Sequence, residues 1–249
     1  MGALPGFTAE LAEQEDPEIG DELIVVRWTD GRTERLRLHD YERLYSLPGV
    51  YEQIVTERLG CRSPWVMAGL LAGAADRLGW RRADLRVLDV AAGNGVSGEA
   101  LDSVGLGVAG RYGTDLVEAA RAAALRDRPA VYDDYLTLDL LSLSHRQRTV
   151  VAGWGCNVLC CVAPVGVRRS ELPPAALAAA AALLADDALV AYMHDPAHGV
   201  PDPVTAGLWR EHAGALGAHE LERRRYVHRL TVSGAPFELE GVVWRVSRR

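Results

Sequence analysis

The stretch Arg86-Val87-Leu88-Asp89-Val90-Ala91-Ala92-Gly93-Asn94-Gly95 decides the fold of this chain. It begins with a branched apolar run typical of a buried β-strand and ends in a glycine-rich turn. A helical pattern follows from Val96 to Leu101. A strand, turn and helix in this order present backbone N–H groups and a positive helix end at the edge of a sheet. Open α/β sheets bind nucleotide-like ligands at that place.

Strand and helix patterns alternate downstream of this unit. The predicted strands are Leu85–Ala91, Gly110–Thr114, Asp134–Leu138, Asn157–Val162 and Ala188–Met193, with helices at about 96–103, 117–126, 175–184 and 204–216. The alternation with short connections predicts a doubly wound, mostly parallel α/β sheet. Two final strands, Tyr226–Val232 and Phe237–Val246, flank Ser233-Gly234-Ala235-Pro236 and predict an antiparallel hairpin that closes a seven-stranded sheet.

The sequence predicts a smaller N-terminal region over residues 1–80 and a main core over residues 81–249. The acidic residues 1–20 contain proline and glycine and are expected to be a poorly ordered arm. Leu23–Trp28 and Glu34–Leu38 flank Asp30-Gly31 and predict a hairpin on the edge of the main core. Three helical pieces follow, a short one capped by Asp40 and others near 51–59 and 63–78. They predict a helical cap over the mouth of the ligand site.

Composition excludes several classes of protein. A net charge of −7 over 249 residues argues against a general binder of polyanions. The sequence contains no lysine, which excludes a pyridoxal-phosphate Schiff base, a P-loop lysine and a Tyr-Lys dehydrogenase pair. No apolar run is long enough to span a bilayer and no signal-peptide pattern is present, so we expect a cytoplasmic protein with no membrane contact. Four cysteines do not make a disulfide framework in a chain of this length.

The glycine turn is compatible with two kinds of cofactor. Gly93 to Gly98 satisfies the G-x-G-x-x-G pattern, and Asp115 follows Gly95 at the spacing that a dinucleotide fold uses to bind ribose. An NAD-dependent dehydrogenase is therefore one hypothesis. Three features argue against a dinucleotide. Asp89 lies within a buried strand and needs a partner, which a positive group of the cofactor would supply. A hairpin follows the last parallel strand, where a dinucleotide fold would add further parallel units, and Asp139 ends a third strand. Three acids at neighbouring strand ends favour a ligand with an ammonium, a ribose and an aminopurine.

At these residues the chain resembles the class I S-adenosylmethionine-dependent methyltransferases. The resemblance covers roughly residues 60 to 249 and rests on four segments, Val87–Gly95, Tyr112–Leu116, Leu138–Leu140 and Val158–Val162. It implies a Rossmann-like methyltransferase fold, S-adenosylmethionine as cofactor and S-adenosylhomocysteine as product. The implied cofactor-binding residues are Asp89, Ala91, Gly93, Asn94 and Gly95 for the methionine part, Asp115 and Leu116 at the ribose, Asp139 and Leu140 at the adenine, and Cys161 and Val162 at the end of the predicted strand Asn157–Val162.

Ala91 departs from the family pattern, because a glycine usually stands at that position of the loop. We expect the extra methyl group to be tolerated. Tyr41–Glu52 resembles the lead-in of a little-characterised bacterial methyltransferase group, and Tyr45 is expected to face the ligand or to pack within the cap. Asp115 and Asp139 have a second interpretation, as caps of the helix or loop that follows each of them.

His194 and Asp195 are the candidates for a general base, since they directly follow the predicted strand Ala188–Met193 and histidine titrates in the suitable range. His194 and His198 also have a metal-like spacing, but Pro196 interrupts any helix that would bring the two rings together. Cys156 and Cys160 are expected on one face of strand 4 and Cys161 on the other, which does not make a zinc site. We therefore expect no metal.

The expected function is methyl transfer to oxygen or nitrogen of a small molecule, such as a secondary metabolite. A nucleic-acid substrate is not expected, because Cys161–Gly166 lacks the polar Asn/Asp-Pro-Pro-aromatic loop of base-modifying enzymes. One alternative is a regulatory or scaffolding protein that binds the cofactor without transferring its methyl group. The N-terminal hairpin is compatible with a lid or with a homodimer contact.

Overall fold

The computed structural model describes residues 6–15, 17–165, 172–196 and 216–248. Its strands are β1 (Phe7–Leu11), β2 (Leu23–Trp28), β3 (Thr33–Arg37), β4 (Arg86–Val90), β5 (Gly110–Asp115), β6 (Asp134–Thr137), β7 (Val158–Pro164), β8 (Asp187–His194), β9 (Leu216–Leu230) and β10 (Pro236–Arg248). Its helices are α1 (Tyr41–Ser46), α2 (Ser63–Arg77), α3 (Val96–Ser103), α4 (Glu118–Asp127), α5 (His145–Gly153) and α6 (Pro174–Ala181), together with a π-helix (Glu52–Arg58) and a 3-10 turn (Arg82–Asp84).

The main sheet has seven strands in the order β6-β5-β4-β7-β8-β10-β9. The first five are parallel, and β10 inserts antiparallel between β8 and β9. The predicted doubly wound sheet with a closing hairpin is thus confirmed, and the hairpin strands extend beyond their predicted bounds. A dinucleotide-binding sheet would continue after β8 with parallel strands, which this topology does not do.

Strand β4 lies at the centre of the sheet because both of its faces are apolar. Leu88 and Val90 belong to the core on one face, and Val87 belongs to the core on the other. All three are fully buried. A parallel strand covered on both faces needs this near-continuous apolar sequence, and its one acid is the exception that points to a site. The carboxyl end of β4 leads into the glycine loop and α3.

Helix α2 packs into the core of the main sheet, although the sequence placed it in the N-terminal region. Met67 and Leu71 are fully buried in the same cluster as Val87 and Val243. The helix begins with Ser63-Pro64, as the proline predicted. Structurally, the cap therefore ends before Ser63.

The N-terminal region differs from its prediction in two ways. Residues Phe7–Leu11 are not a poorly ordered arm but form β1, which pairs antiparallel with β2. Phe7 and Ala9 are buried, so an alternating apolar pattern in the acidic segment drives this pairing. The β2–β3 hairpin is confirmed, but it belongs to this separate three-stranded sheet rather than to the edge of the main one.

Two helices begin at side-chain caps, and one of them was not predicted. The Asp40 side chain accepts a hydrogen bond from the Arg43 backbone N–H at the start of α1. Helix α5 was not predicted. It begins at a capping box in which Ser144 and Gln147 exchange hydrogen bonds. The predicted helix at 204–216 lies outside the described residues, except for Leu216, which begins β9.

Candidate functional site

A cavity of about 560 Å³ lies at the carboxyl ends of the parallel strands. One part is lined by the ends of β4 to β7 and the segments that follow them. The other part is lined by the N-terminal region and the C-terminal hairpin. Of the residues predicted to bind a cofactor, the following line this cavity: Tyr45, Ala91, Asp115, Leu116, Asp139, Leu140 and Val162. The topology therefore brings together residues from four predicted segments.

The loop after β4 is built from left-handed backbone. Ala91, Gly93 and Gly95 have φ values of 55°, 55° and 90°. Ala91 is the one non-glycine residue with positive φ among the described residues. This conformation costs an L-residue about 1–2 kcal/mol, which explains why glycine is the usual residue there. The structure thus accommodates the methyl group of Ala91 with backbone strain at the wall of the cavity.

Tyr45 covers the loop at Gly93. A Cβ atom added to Gly93 would lie 2.5 Å from the Tyr45 hydroxyl oxygen, so the tyrosine approaches the backbone as closely as glycine permits. The Tyr45 ring lies between those of Tyr41 and Tyr51, with centroid distances of 5.6 and 5.4 Å. The cap therefore presents an aromatic roof to the loop, and both expected roles of Tyr45, packing and facing the cavity, are compatible with it.

Asp89 is buried beneath the loop with one unsatisfied oxygen. Its Oδ2 accepts hydrogen bonds of 2.6 Å from both Ser97 Oγ and Tyr132 Oη, whereas Oδ1 has no partner among the described residues. Burial raises the pKa of this carboxyl to about 6, against the two hydrogen bonds that lower it. Asp89 does not itself line the cavity. Its open oxygen shows that the site is incomplete without a polar or positive group.

Asp115 joins the end of β5 to the glycine loop. Its Oδ2 accepts from the Gly93 backbone N–H at 2.9 Å, and its Oδ1 accepts from the Val117 N–H at 3.0 Å. The side chain therefore caps the turn before α4 and also lines the cavity. Burial raises the pKa of the Asp115 carboxyl, with backbone hydrogen bonds acting in the opposite direction. Each oxygen keeps a lone pair for a further donor.

The remaining strand ends contribute apolar walls and one more acid. Asp139 lines the cavity, but its oxygens also accept from the Leu141 N–H and Ser142 Oγ at 2.9 and 2.8 Å, so it stabilises its own turn. Leu140 lines the cavity from a buried position, and Leu116 is 70% exposed. Val162 lines the cavity, whereas Cys161 is fully buried outside it.

Asn94 points away from the cavity and ties the loop to the cap. Its Nδ2 donates to Glu52 Oε1 at 2.7 Å, and Arg128 Nη1 donates to the same oxygen at 2.8 Å. Arg128 also donates to the Asn94 backbone carbonyl at 3.2 Å. Glu52 belongs to the π-helix, so these contacts fasten the cap to the glycine loop. Glu52, Arg128 and Tyr132 carried no sequence signal for this role, because their partners are distant in the chain.

His194 and Asp195 do not line the cavity, and the role expected for them there does not fit their position. His194 Nε2 lies 2.9 Å from Arg223 Nη1 and 3.3 Å from Glu240 Oε2, both on the hairpin. Successive residues of a strand point to opposite faces, and it is the preceding residue, Met193, that lines the cavity. The alternation of β8 thus removes His194 from the place where sequence proximity had put it.

The described residues contain no group of three His, Cys, Asp or Glu side chains arranged to hold a metal ion. His198 lies outside them. Cys156 and Cys160 do not share a face as expected, because β7 begins only at Val158. Cys156 packs in the same core as Cys161, and Cys160 packs in the other.

Two histidines that the sequence did not single out line the cavity. His39 follows β3, and His228 lies on β9. Beside them, Arg229 forms a buried two-bond ion pair with Glu22, joining the hairpin to the N-terminal region. No local motif could have revealed this grouping, because only folding brings these segments together.

Comparison with known proteins identifies the fold. The sequence matches no family model and no curated protein. Among solved structures, the N-methyltransferase NodS from Bradyrhizobium japonicum, in complex with S-adenosyl-L-homocysteine, has a TM-score of 0.55 at 13% identity, over 82% of this chain and 95% of its own. The plantazolicin methyltransferase BpumL, in complex with a substrate analogue and the same product, has a TM-score of 0.51 at 10% identity, over 84% and 98%.

A third structure, from Pyrococcus horikoshii and described as a candidate RNA methyltransferase, has a TM-score of 0.50 at 16% identity, over 73% of this chain and 82% of its own. These likenesses show that the chain has the Rossmann-like fold of S-adenosylmethionine-dependent methyltransferases. Within the described residues, no helix combines the length and apolar character needed to cross a bilayer.

Proposed function

We propose that this chain is an S-adenosylmethionine-dependent methyltransferase that acts on a small molecule. The observation that carries the proposal is the convergence of Ala91, Asp115 and Asp139 on one cavity at the carboxyl ends of β4, β5 and β6. Open α/β sheets bind nucleotide-like ligands at this edge. The neighbouring structures that contain S-adenosylhomocysteine share this fold.

The residues of the site fit the parts of this cofactor. The open Asp89 oxygen and the left-handed backbone of the loop suit the ammonium and carboxylate of its methionine part, beneath Tyr45. Asp115 retains the capacity to accept from ribose hydroxyls. Asp139, with apolar Leu140 and Leu116 in the same cavity lining, suits an aminopurine.

The cofactor supplies an electrophilic methyl group on a sulfonium. The chain then has to align a nucleophile with that group and exclude water, and alignment supplies much of the rate. The aromatic roof and the N-terminal region over the cavity suit both tasks.

The net charge of the chain and the ion pairs on β9 favour a small acceptor over a nucleic acid. The net charge is −7. Strand β9 contains the basic triplet Arg223-Arg224-Arg225. Two of these arginines are paired with glutamates, Arg223 with Glu240 and Arg225 with Glu238. The glutamates neutralise the charge of these two arginines, so the pair does not form a basic surface for nucleic-acid phosphates.

Calorimetric titration with S-adenosylhomocysteine, with NAD in parallel, tests the cofactor. We expect micromolar binding of the former and none of the latter. Binding of NAD alone would overturn the proposal. Transfer of labelled methyl from S-adenosylmethionine to components of a cell extract then tests turnover. Tight binding without transfer to any extract would favour a regulatory protein that keeps the cofactor.

A further inference from the structure

The part of the cavity formed by the N-terminal region and the hairpin has its own polar groups. His39, His228 and Arg229 line it, together with aromatic Tyr41 and Phe237. None of these residues belongs to the strand ends and loops proposed to hold the cofactor. This part of the cavity is called the hairpin pocket below, and its chemistry indicates what it binds.

Among the described residues, the hairpin pocket carries no unbalanced charge. Arg229 is 3% exposed and donates to both oxygens of Glu22, which is 1% exposed, and to the Leu230 carbonyl. Its guanidinium is therefore already neutralised and occupied. Burial and the nearby Arg229 charge lower the pKa values of both histidines, that of His228 to about 3. Both imidazoles are consequently neutral at physiological pH. A charged acceptor would find no counter-ion here.

His228 is held by hydrogen bonds at one of its two ring nitrogens. Tyr226 Oη lies 2.9 Å from Ser63 Oγ and 3.2 Å from Met193 Sδ, and Ser63 Oγ lies 2.6 Å from His228 Nδ1. A serine oxygen can accept two hydrogen bonds or donate one, so this cluster fits either tautomer of His228. Nε2 has no hydrogen-bond partner among the described residues. His228 thus presents a free ring nitrogen, with its ring edge-on to Phe237 at a centroid distance of 5.5 Å.

His39 is the second imidazole of the pocket. Its Nδ1 is buried and has no hydrogen-bond partner among the described residues. Its ring meets that of Tyr41 edge-on, with centroids 5.8 Å apart. The hairpin pocket therefore combines two imidazoles with aromatic walls.

We propose that the hairpin pocket binds the methyl acceptor, that this acceptor is an uncharged hydroxyaromatic molecule, and that His228 and His39 bind its oxygen functions. The inference rests on the proposed function. One imidazole hydrogen-bonds an oxygen of the acceptor, and the other accepts the proton of the hydroxyl that reacts. In the transfer, the hydroxyl oxygen forms a bond to the methyl carbon as the carbon–sulfur bond breaks. The hydroxyl proton passes to that imidazole and then to water, which leaves a methyl ether and S-adenosylhomocysteine.

Binding to the protein saturated with S-adenosylhomocysteine tests this assignment by calorimetry. The probes are 2-naphthol, its ether 2-methoxynaphthalene, the anion 2-naphthoate and the cation of 2-naphthylmethylamine. We expect 2-naphthol to bind, with the ether about three- to tenfold weaker because it has no hydroxyl proton to donate to an imidazole. The two ions should bind at least about tenfold more weakly than 2-naphthol, since a buried charge without a partner is costly.

Variants of His228 locate the contact. His228→Phe keeps a ring against Phe237 but loses both ring nitrogens, so 2-naphthol should bind about three- to tenfold more weakly while S-adenosylhomocysteine affinity stays within about twofold. His228→Gln restores a side chain that donates and accepts hydrogen bonds and should recover most of that affinity. His145→Phe, the same change at an exposed histidine of α5, is the matched control and should change neither affinity.

The outcomes separate this inference from the proposed function. Failure of the wild-type protein to bind S-adenosylhomocysteine contradicts the proposed function. If that product binds but 2-naphthol binds no better than 2-naphthoate, the assignment of an uncharged hydroxyaromatic acceptor is wrong. Equal 2-naphthol affinity in wild type and His228→Phe would refute the role of His228. The comparison of 2-naphthol with its ether needs no variant, so the assignment stays testable if a variant does not fold.

Discussion

Replacing Asp89 with asparagine should change how stability depends on pH. In the unliganded protein the buried carboxyl has a pKa of about 6 rather than 3.8, so the folded state holds its proton more tightly than the unfolded chain does. Its contribution to stability is therefore full below about pH 4 and is lost as pH rises through 6. At about 1.4 kcal/mol per tenfold change in the ionisation constant, the complete loss is about 3 kcal/mol.

About 2 kcal/mol of that loss falls between pH 4.5 and pH 8. Asparagine does not titrate, so Asp89→Asn removes this component. Its amide leaves one buried donor unsatisfied, in the place of the open Oδ1, which costs about 1–3 kcal/mol at every pH. The difference in unfolding free energy between variant and wild type therefore has two sources. Only the loss of the titrating carboxyl makes that difference change with pH. The stability of the variant relative to wild type should rise by about 2 kcal/mol from pH 4.5 to pH 8.

Urea unfolding followed by circular dichroism at five pH values measures this difference. Asp134→Asn, the same change at an exposed position, controls for the loss of one negative charge. A relative stability that stays within about 0.5 kcal/mol over the whole range would refute the reasoning, because it would mean that burial does not hold the Asp89 proton. Saturating S-adenosylhomocysteine should flatten the wild-type profile, since a cofactor ammonium near Asp89 favours the carboxylate.

Three further perturbations test other parts of the structure. Arg229→Met leaves Glu22 buried without a partner and should lower the free energy of unfolding in urea by about 3–5 kcal/mol. Adding Glu22→Leu should recover most of that loss, and a double variant no more stable than Arg229→Met would contradict the assignment of a buried ion pair. Ala91→Gly relieves a left-handed alanine and should raise stability by about 0.5–1 kcal/mol, because the relief exceeds the added freedom of the unfolded chain; a loss of stability would show that Ala91 is not strained. Asp115→Ala should weaken S-adenosylhomocysteine binding at least about tenfold in calorimetry, whereas unchanged affinity would remove Asp115 from the cofactor site.

Much of the main sheet could be predicted because its signals are local. The apolar run of β4, the glycines after it and the strand–helix alternation each lie within a few residues of the element they specify. The same is true of Asp40 and Pro64 at helix starts. Local signals failed for β1, whose acidic composition concealed the alternation of Phe7 and Ala9 that buries one face.

The candidate site was only partly predictable. The strand ends placed Asp115, Asp139 and Ala91 at one edge of the sheet, because parallel strands all present their carboxyl ends there. For Asp115 and Asp139 the sequence left two interpretations open, a ligand contact and a cap, and in the structure both side chains line the cavity and also hold their own turns. The sequence put His194 near the site by proximity along the chain, although strand alternation directs that side chain to the hairpin arginine and glutamate.

The sequence by itself determined the sheet, the glycine loop and the acids at the strand ends, since each follows from short-range patterns of hydrophobicity and turn chemistry. Tertiary structure decided what covers them. Tyr132 binds Asp89, Glu52 and Tyr45 contact the glycine loop, and His39 and His228 line one cavity only when the N-terminal region packs against the hairpin. These contacts join residues far apart in the chain, and their partners are selected by packing and by the cost of leaving buried polar groups unpaired.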